Sequence, residues 1–151
     1  MSRSCISLTF VGLSVFAFVG CEASIDSMTL YSLDGDFMPG MSKPWPGETF
    51  QQYPVLGKTD VTSPDDRRAI LTAVKRGIAE ADEHSHIMCF WPHHGVSLVR
   101  KGQRIEYLIC FHCRQVSIFG DGEYRHVNTT DASADLLNTR LQAGGVPQQK
   151  Q

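Results

Sequence analysis

Apolar positions recur along this chain in three patterns, and each predicts an element. From Ile70 through Leu71 and Val74 to Ile78 they return at helical spacing, with Arg76 and Glu80 on the opposite side. Ser63-Pro64-Asp65-Asp66 stands before them as a helix start. A serine can cap, a proline suits the first helical position, and two carboxylates favour the positive end of the dipole. The predicted helix runs from there to about Ala81, with the Arg67 stem over the core edge and its charged head in water. Gly77 costs it roughly 1 kcal/mol relative to alanine.

Elsewhere the period is two. Residues 29–33 read as a strand, and Phe50 to Leu56 as a short one interrupted by Pro54. Residues 94–100 and 103–109 flank Lys101-Gly102 as a hairpin. A second hairpin joins 115–119 to 123–127 through Gly120-Asp121-Gly122, and 86–91 reads as extended. Leu136, Leu137 and Leu141 mark a short helix over 133–143 that stops at Gly144-Gly145. Three prolines and three glycines between 34 and 50 predict a long loop there, with Trp45 packed over the sheet. Strands in a run with helices before and after predict an α+β domain. Its expected form is an antiparallel sheet of consecutive hairpins, with one long amphipathic helix packed on a face and a short C-terminal helix.

The third pattern is a largely apolar run of 14 residues without a charge, Ile6 to Val19, behind the single charge of Arg3. A bilayer-spanning helix needs roughly 20 residues, so the layout reads as a secretory signal peptide. The run ends Phe18-Val19-Gly20-Cys21. This resembles the lipobox of bacterial lipoproteins, with Phe18 where that family usually has leucine. The resemblance covers the first 21 residues. It implies cleavage before Cys21, a diacylglyceryl group on its sulfur, and a location in the bacterial cell envelope, anchored to a membrane on the periplasmic or surface side. An ordinary signal peptide cut near Ala23 is the competing reading. The expected organisation is a signal peptide over 1–20, a tether over 21–27, a single domain over 28–145 and a disordered tail over 146–151.

Without Arg3 the remainder carries 13 basic against 16 acidic side chains. That balance argues against a nucleic-acid binder, which needs a basic surface. The length suits a single core. No Gly-rich phosphate loop and no Gly-x-Ser-x-Gly elbow occurs, so the sequence supports no reaction and a non-enzymatic reading is preferred. The membrane, through Cys21, is the only partner named; a protein or small-molecule ligand is not identified.

Candidate chemistry gathers in one stretch: Cys89, His93, His94, Cys110, His112 and Cys113. Pairing Arg100 with Gln103 sets His93 opposite Cys110, Phe90 opposite Cys113 and Cys89 opposite Arg114. A straight strand would hold Cys89 about 13 Å from His93, too far for one metal. Pro92 favours a break in that strand, and Cys110-Phe-His-Cys113 can turn as a knuckle. Several readings stay open. Cys89, Cys110, Cys113 and one of His93 or His94 form a tetrahedral zinc set, structural because no ligand position is free. Three ligands instead would suit copper, with Met88 adjacent. A Cys89–Cys113 or Cys89–Cys110 disulfide would close the base of the hairpin, as an oxidising envelope permits. A Cys110–Cys113 redox pair is a further option, and it needs a turn, because cysteines three apart on a flat strand face opposite ways.

The segments around Cys89-Phe-Trp-Pro-His-His and Ile109-Cys-Phe-His-Cys113 are similar to a pattern in small uncharacterised bacterial envelope proteins, over about 25 residues. Two function classes are compatible with these residues. One is a binding or accessory module whose cluster staples a hairpin, by disulfide or structural zinc. The other is a metal-handling or thiol-active envelope protein. His84, His86 and His126 read as solvated histidines, and Asp65, Asp66 and Asp82 as helix-end charges.

Overall fold

A computed structural model describes residues 24–82 and 89–149. The segment expected as a signal peptide, Cys5, Cys21, His84, His86 and Met88 lie outside the described residues. The fold is α+β. Seven strands are β1 (Ser27–Leu33), β2 (Thr49–Phe50), β3 (Tyr53–Asp60), β4 (His94–Arg100), β5 (Gln103–Cys110), β6 (Gln115–Gly120) and β7 (Glu123–Asn128); the helices are α1 (Pro64–Ala79) and α2 (Ala134–Ala143). The sheet order is β2-β3-β1-β4-β5-β6-β7, and the pairings are antiparallel.

The C-terminal half of the sheet is the expected meander of hairpins. Arg100 pairs with Gln103, and Lys101 and Gly102 both take positive φ, the mark of a primed two-residue turn. Asp121 and Gly122 do the same between β6 and β7, where Gly120 and Glu123 pair as the last rung. The other half departs from consecutive hairpins. Strand β1 lies between β3 and β4, so a strand near the N-terminus is central. Pro54 does not interrupt β3: it pairs with Thr49 on the short edge strand β2, where a missing N–H is tolerated. Leu56 is a bulge, since Ser32 pairs with Gly57 and Leu33 with Val55.

Helix α1 starts as its sequence predicts, with Ser63 Oγ accepting the Asp66 N–H at 3.3 Å. Its 16 residues are fewer than the long helix expected. Gly77 has a packing reason: a Cβ there would stand 2.8 Å from Thr129 Oγ1, and the Gly77 carbonyl accepts the Thr130 N–H. The Arg67 guanidinium is more engaged than a wet head. It donates to the carbonyls of Val61, Ile25 and Asp26 at 2.7, 3.1 and 2.8 Å, clasping the start of β1. Ile25 is buried and Ser27 opens a strand, so residues 25–27 are part of the fold rather than tether.

Helix α2 ends where Gly144-Gly145 predicts, and the form of its ending sets the course of residues 146–149. The Val146 N–H donates to the Leu141 carbonyl and the Gly145 N–H to the Gln142 carbonyl, with Gly145 at φ 69. This is a Schellman ending, whose apolar residue folds back on the helix. Val146 accordingly sits in the core. Residues 146–149, expected as disordered tail, pack instead: Gln148 donates to the Asn138 carbonyl and Gln149 to Asp36. Arg140 pairs with Asp66 at 2.6 Å and links the two helices.

Alternation divides the sheet into two faces. Met28, Leu30, Val96, Leu98, Ile109 and Val116 share one apolar core with Ile70, Leu71, Val74, Leu137 and Leu141 of the helices. The other face carries a smaller cluster of Leu33, Phe50 and Leu108, ringed by Tyr31, Tyr53, Phe90 and Phe119. Residues 34–48, in no helix or strand, form the expected loop, and Trp45 in it is 43% exposed rather than packed over the sheet.

Candidate functional site: a three-sulfur cluster and a separate histidine pair

Strand β5 delivers Cys110 at its last position, opposite Gln115 and on the face away from the helices. The chain then turns at once. The Arg114 N–H donates to the Phe111 carbonyl at 3.1 Å, and Arg114 takes a φ of 53. This turn swings Cys113 back onto Cys110, and the two form a disulfide. Both of its sulfur-bearing residues are buried, Cys110 at 0% and Cys113 at 1% exposure. The Cys113 N–H donates to Cys110 Sγ at 3.0 Å.

Cys89 approaches from the other side. Residues 89–93 belong to no helix or strand, consistent with Pro92 breaking the extended segment. The Cys89 thiol is free, half-buried, and 3.9 Å from Cys113 Sγ. The Trp91 N–H points at Cys113 Sγ from 3.4 Å. The three cysteines singled out in the sequence are therefore brought together. The covalent pair is Cys110–Cys113, however, and neither of the pairings expected for Cys89 forms. The turn supplies the reason: it places two sulfurs three residues apart side by side, which a flat strand could not.

The histidines go elsewhere. His94 pairs with Ile109, so its side chain lies on the helix face while Cys110, the next residue on β5, lies on the other. One step of alternation separates the ring from the sulfurs by the thickness of the sheet. His94 is 4% exposed and packs edge-on to Phe111 at 5.0 Å. Its Nε2 is 2.7 Å from Asn138 Oδ1 of α2, and its Nδ1 finds no hydrogen-bond partner among the described residues. Burial pushes the His94 pKa down; the Asn138 bond partly offsets this, and nearby His93 adds to it. His93 Nδ1 lies 2.9 Å from Gln149 Oε1. With Ser32, Asn138, Gln148 and Gln149, the two histidines line a cavity of about 240 Å³. His94 thus lies across the sheet from the sulfurs with which the sequence grouped it, and among the described residues no three His, Cys, Asp or Glu side chains are gathered as a metal group.

The sulfur face holds further polar groups to which the sequence pattern assigns no role. His126 Nδ1 is 2.8 Å from Ser117 Oγ and its ring meets Phe90 edge-on at 5.0 Å. Tyr53 OH donates to the Phe90 carbonyl at 3.4 Å. The Glu106 carboxylate accepts from Ser97 Oγ at 3.3 Å and from Gln51 Nε2. The hairpin register contained the first of these, because pairing Gly120 with Glu123 sets Ser117 against His126. Phe90, neighbour of Cys89, thus links this polar patch to the sulfurs. Comparison with models of known protein families, with curated proteins and with solved structures finds no match for this chain.

Proposed function

We propose that this protein is a lipid-anchored module of the bacterial cell envelope that serves as a non-enzymatic binding or accessory protein, with the β5–β6 turn stapled by a disulfide. The observation that carries the reading is the Cys110–Cys113 pair, both partners buried at the end of β5. Stable disulfides belong to oxidising compartments. That agrees with the apolar leader ending Phe18-Val19-Gly20-Cys21, whose lipobox resemblance assigns the anchor to Cys21. Lipid chains on Cys21 would hold the protein at a surface without a spanning segment, since each buried methylene contributes roughly 0.8 kcal/mol. Among the described residues no helix is long and apolar enough to cross a membrane.

Two variants test the proposal. Cys21→Ser should move the protein from the membrane fraction to the soluble fraction of its host; persistence in the membrane fraction would refute lipid anchoring. Replacing Cys110 and Cys113 together by serine should lower the unfolding free energy by about 2 kcal/mol, the chain-entropy value for closing a loop of about four residues. An unchanged urea midpoint would show that the turn does not depend on the staple.

A further inference from the structure

The cluster contains one more sulfur than a staple needs. Cys89 is held against the bonded pair by a segment with no regular hydrogen bonding of its own, and its thiol touches one sulfur of the pair in particular, Cys113, at 3.9 Å. The disulfide itself is sealed, with Cys110 and Cys113 at 0% and 1% exposure, while Cys89 is half-buried. A small thiol in solution can therefore meet Cys89 but not the bond behind it.

We propose that Cys89 is the reactive thiol of a three-sulfur exchange centre, through which small thiols and disulfides act on the Cys110–Cys113 bond they cannot touch. Deprotonated Cys89 attacks Cys113 Sγ. The Cys89–Cys113 bond forms, the Cys110–Cys113 bond breaks, and the electron pair leaves on Cys110. The proton lost by Cys89 goes to solvent and Cys110 takes one up, so the step is an isomerisation and needs no oxidant or reductant. The exchange rests on the proposed staple being formed in the protein.

Three features direct the exchange. The sulfur that Cys89 faces at 3.9 Å is Cys113, and attack there makes Cys110 the leaving group. Leaving-group stabilisation speeds thiol–disulfide exchange, and the Cys113 N–H already donates to Cys110 Sγ at 3.0 Å. The Trp91 N–H at Cys113 Sγ faces the central sulfur, over which charge spreads as the bonds change. The remaining closure, from 3.9 Å to a bond of about 2.0 Å, is available because residues 89–93 are in no helix or strand. The exchange moves the covalent tie from the β5–β6 turn to the segment carrying Phe90 and Trp91. A monothiol such as glutathione then attacks Cys89 Sγ of the new bond and frees Cys113. A second glutathione displaces Cys89, giving oxidised glutathione and a dithiol at 110 and 113.

The positions of lysine and arginine make the test direct. Trypsin places Cys89 in peptide 77–100 and both Cys110 and Cys113 in peptide 105–114. The full chain is incubated at pH 8, quenched in acid at timed intervals, blocked with N-ethylmaleimide in denaturant and digested. The resting bond gives an internally linked 105–114 peptide and maleimide on Cys89. Exchange gives 77–100 linked to 105–114 through Cys113, with maleimide on Cys110. Glutathione should reduce the wild-type pair at least about 10-fold faster than it reduces the pair in Cys89→Ser, whose bond lacks an internal nucleophile. Equal reduction rates together with no linked peptide in the wild type would overturn the exchange while leaving the staple standing. Maleimide on all three cysteines at time zero would instead show that the staple itself is not formed. The linked peptide is read in the wild type, so the result does not depend on the variant folding.

Discussion

The two faces of the sheet differ in how they are closed. One is sealed by α1 and α2, and its core runs without interruption from Met28 to Leu141. Among the described residues the other is covered by loops and by β2, and its buried apolar cluster is the small one of Leu33, Phe50 and Leu108. Polar and reactive groups collect there: Ser97 with Glu106, Ser117 with His126, and the three sulfurs. A helix presents a broad apolar stripe that excludes water and polar atoms alike. Loops leave gaps and bring in backbone donors outside the sheet ladder, such as the Trp91 N–H that meets Cys113 Sγ. The three sulfurs therefore sit on the loosely closed face, while the helix face holds the larger apolar core with the His94–Asn138 pair at its edge.

The sharpest test compares truncations on the two faces. Leu98→Ala removes a side chain at 1% exposure from the helix-sealed core and should cost about 3–4 kcal/mol. Leu108→Ala on the opposite face should cost about 2 kcal/mol, because a small cluster under loops collapses more readily onto the space left. Equal losses in urea unfolding would break the distinction.

A second test uses His94, the imidazole buried on the helix face among the described residues. The His94 pKa is depressed in the folded protein by burial, so the unfolded chain binds this proton more readily. Its contribution to stability is complete above the ordinary histidine pKa of about 6.5 and declines as pH falls below it toward the folded value. The wild-type urea midpoint should fall between pH 7.5 and pH 5.5, and His94→Gln should fall less. A variant as pH-sensitive as the wild type would place the titration elsewhere.

The smallest effect belongs to the open face. Ser117→Ala removes the bond to His126 and should cost about 1 kcal/mol or less, since His126 can turn to water. A loss comparable to that of Leu98→Ala would mean that this face is as tightly packed as the other.

Much of this was legible in the chain. The cap at Ser63, the primed turns at Lys101-Gly102 and Asp121-Gly122, and the stop at Gly144-Gly145 are local signals, set by a few neighbouring residues. The hairpin register followed from them, and with it the gathering of the cysteines. Less legible was everything that joins distant segments. Strand β1 between β3 and β4, the Arg67 clasp on Ile25 and Asp26, and the Gln149 contact with His93 cross from one part of the chain to another. Nothing in the local composition marks such pairs. Gly77 shows the same division: its helical cost is visible in the sequence, but its reason, the approach of Thr129, is not.

The sequence by itself located the two helices and the two C-terminal hairpins, and set Cys89, Cys110 and Cys113 near one another at the foot of the first hairpin. Only the tertiary structure decided which sulfurs bond and where the histidines go. Alternation sends His94 with Ile109 to the helix face and Cys110 to the other, and the turn at Arg114 brings Cys113 onto Cys110 ahead of Cys89. Periodicity is a property of neighbours along the chain. The face a side chain meets, and the partner it finds there, depend on what packs against the sheet from elsewhere.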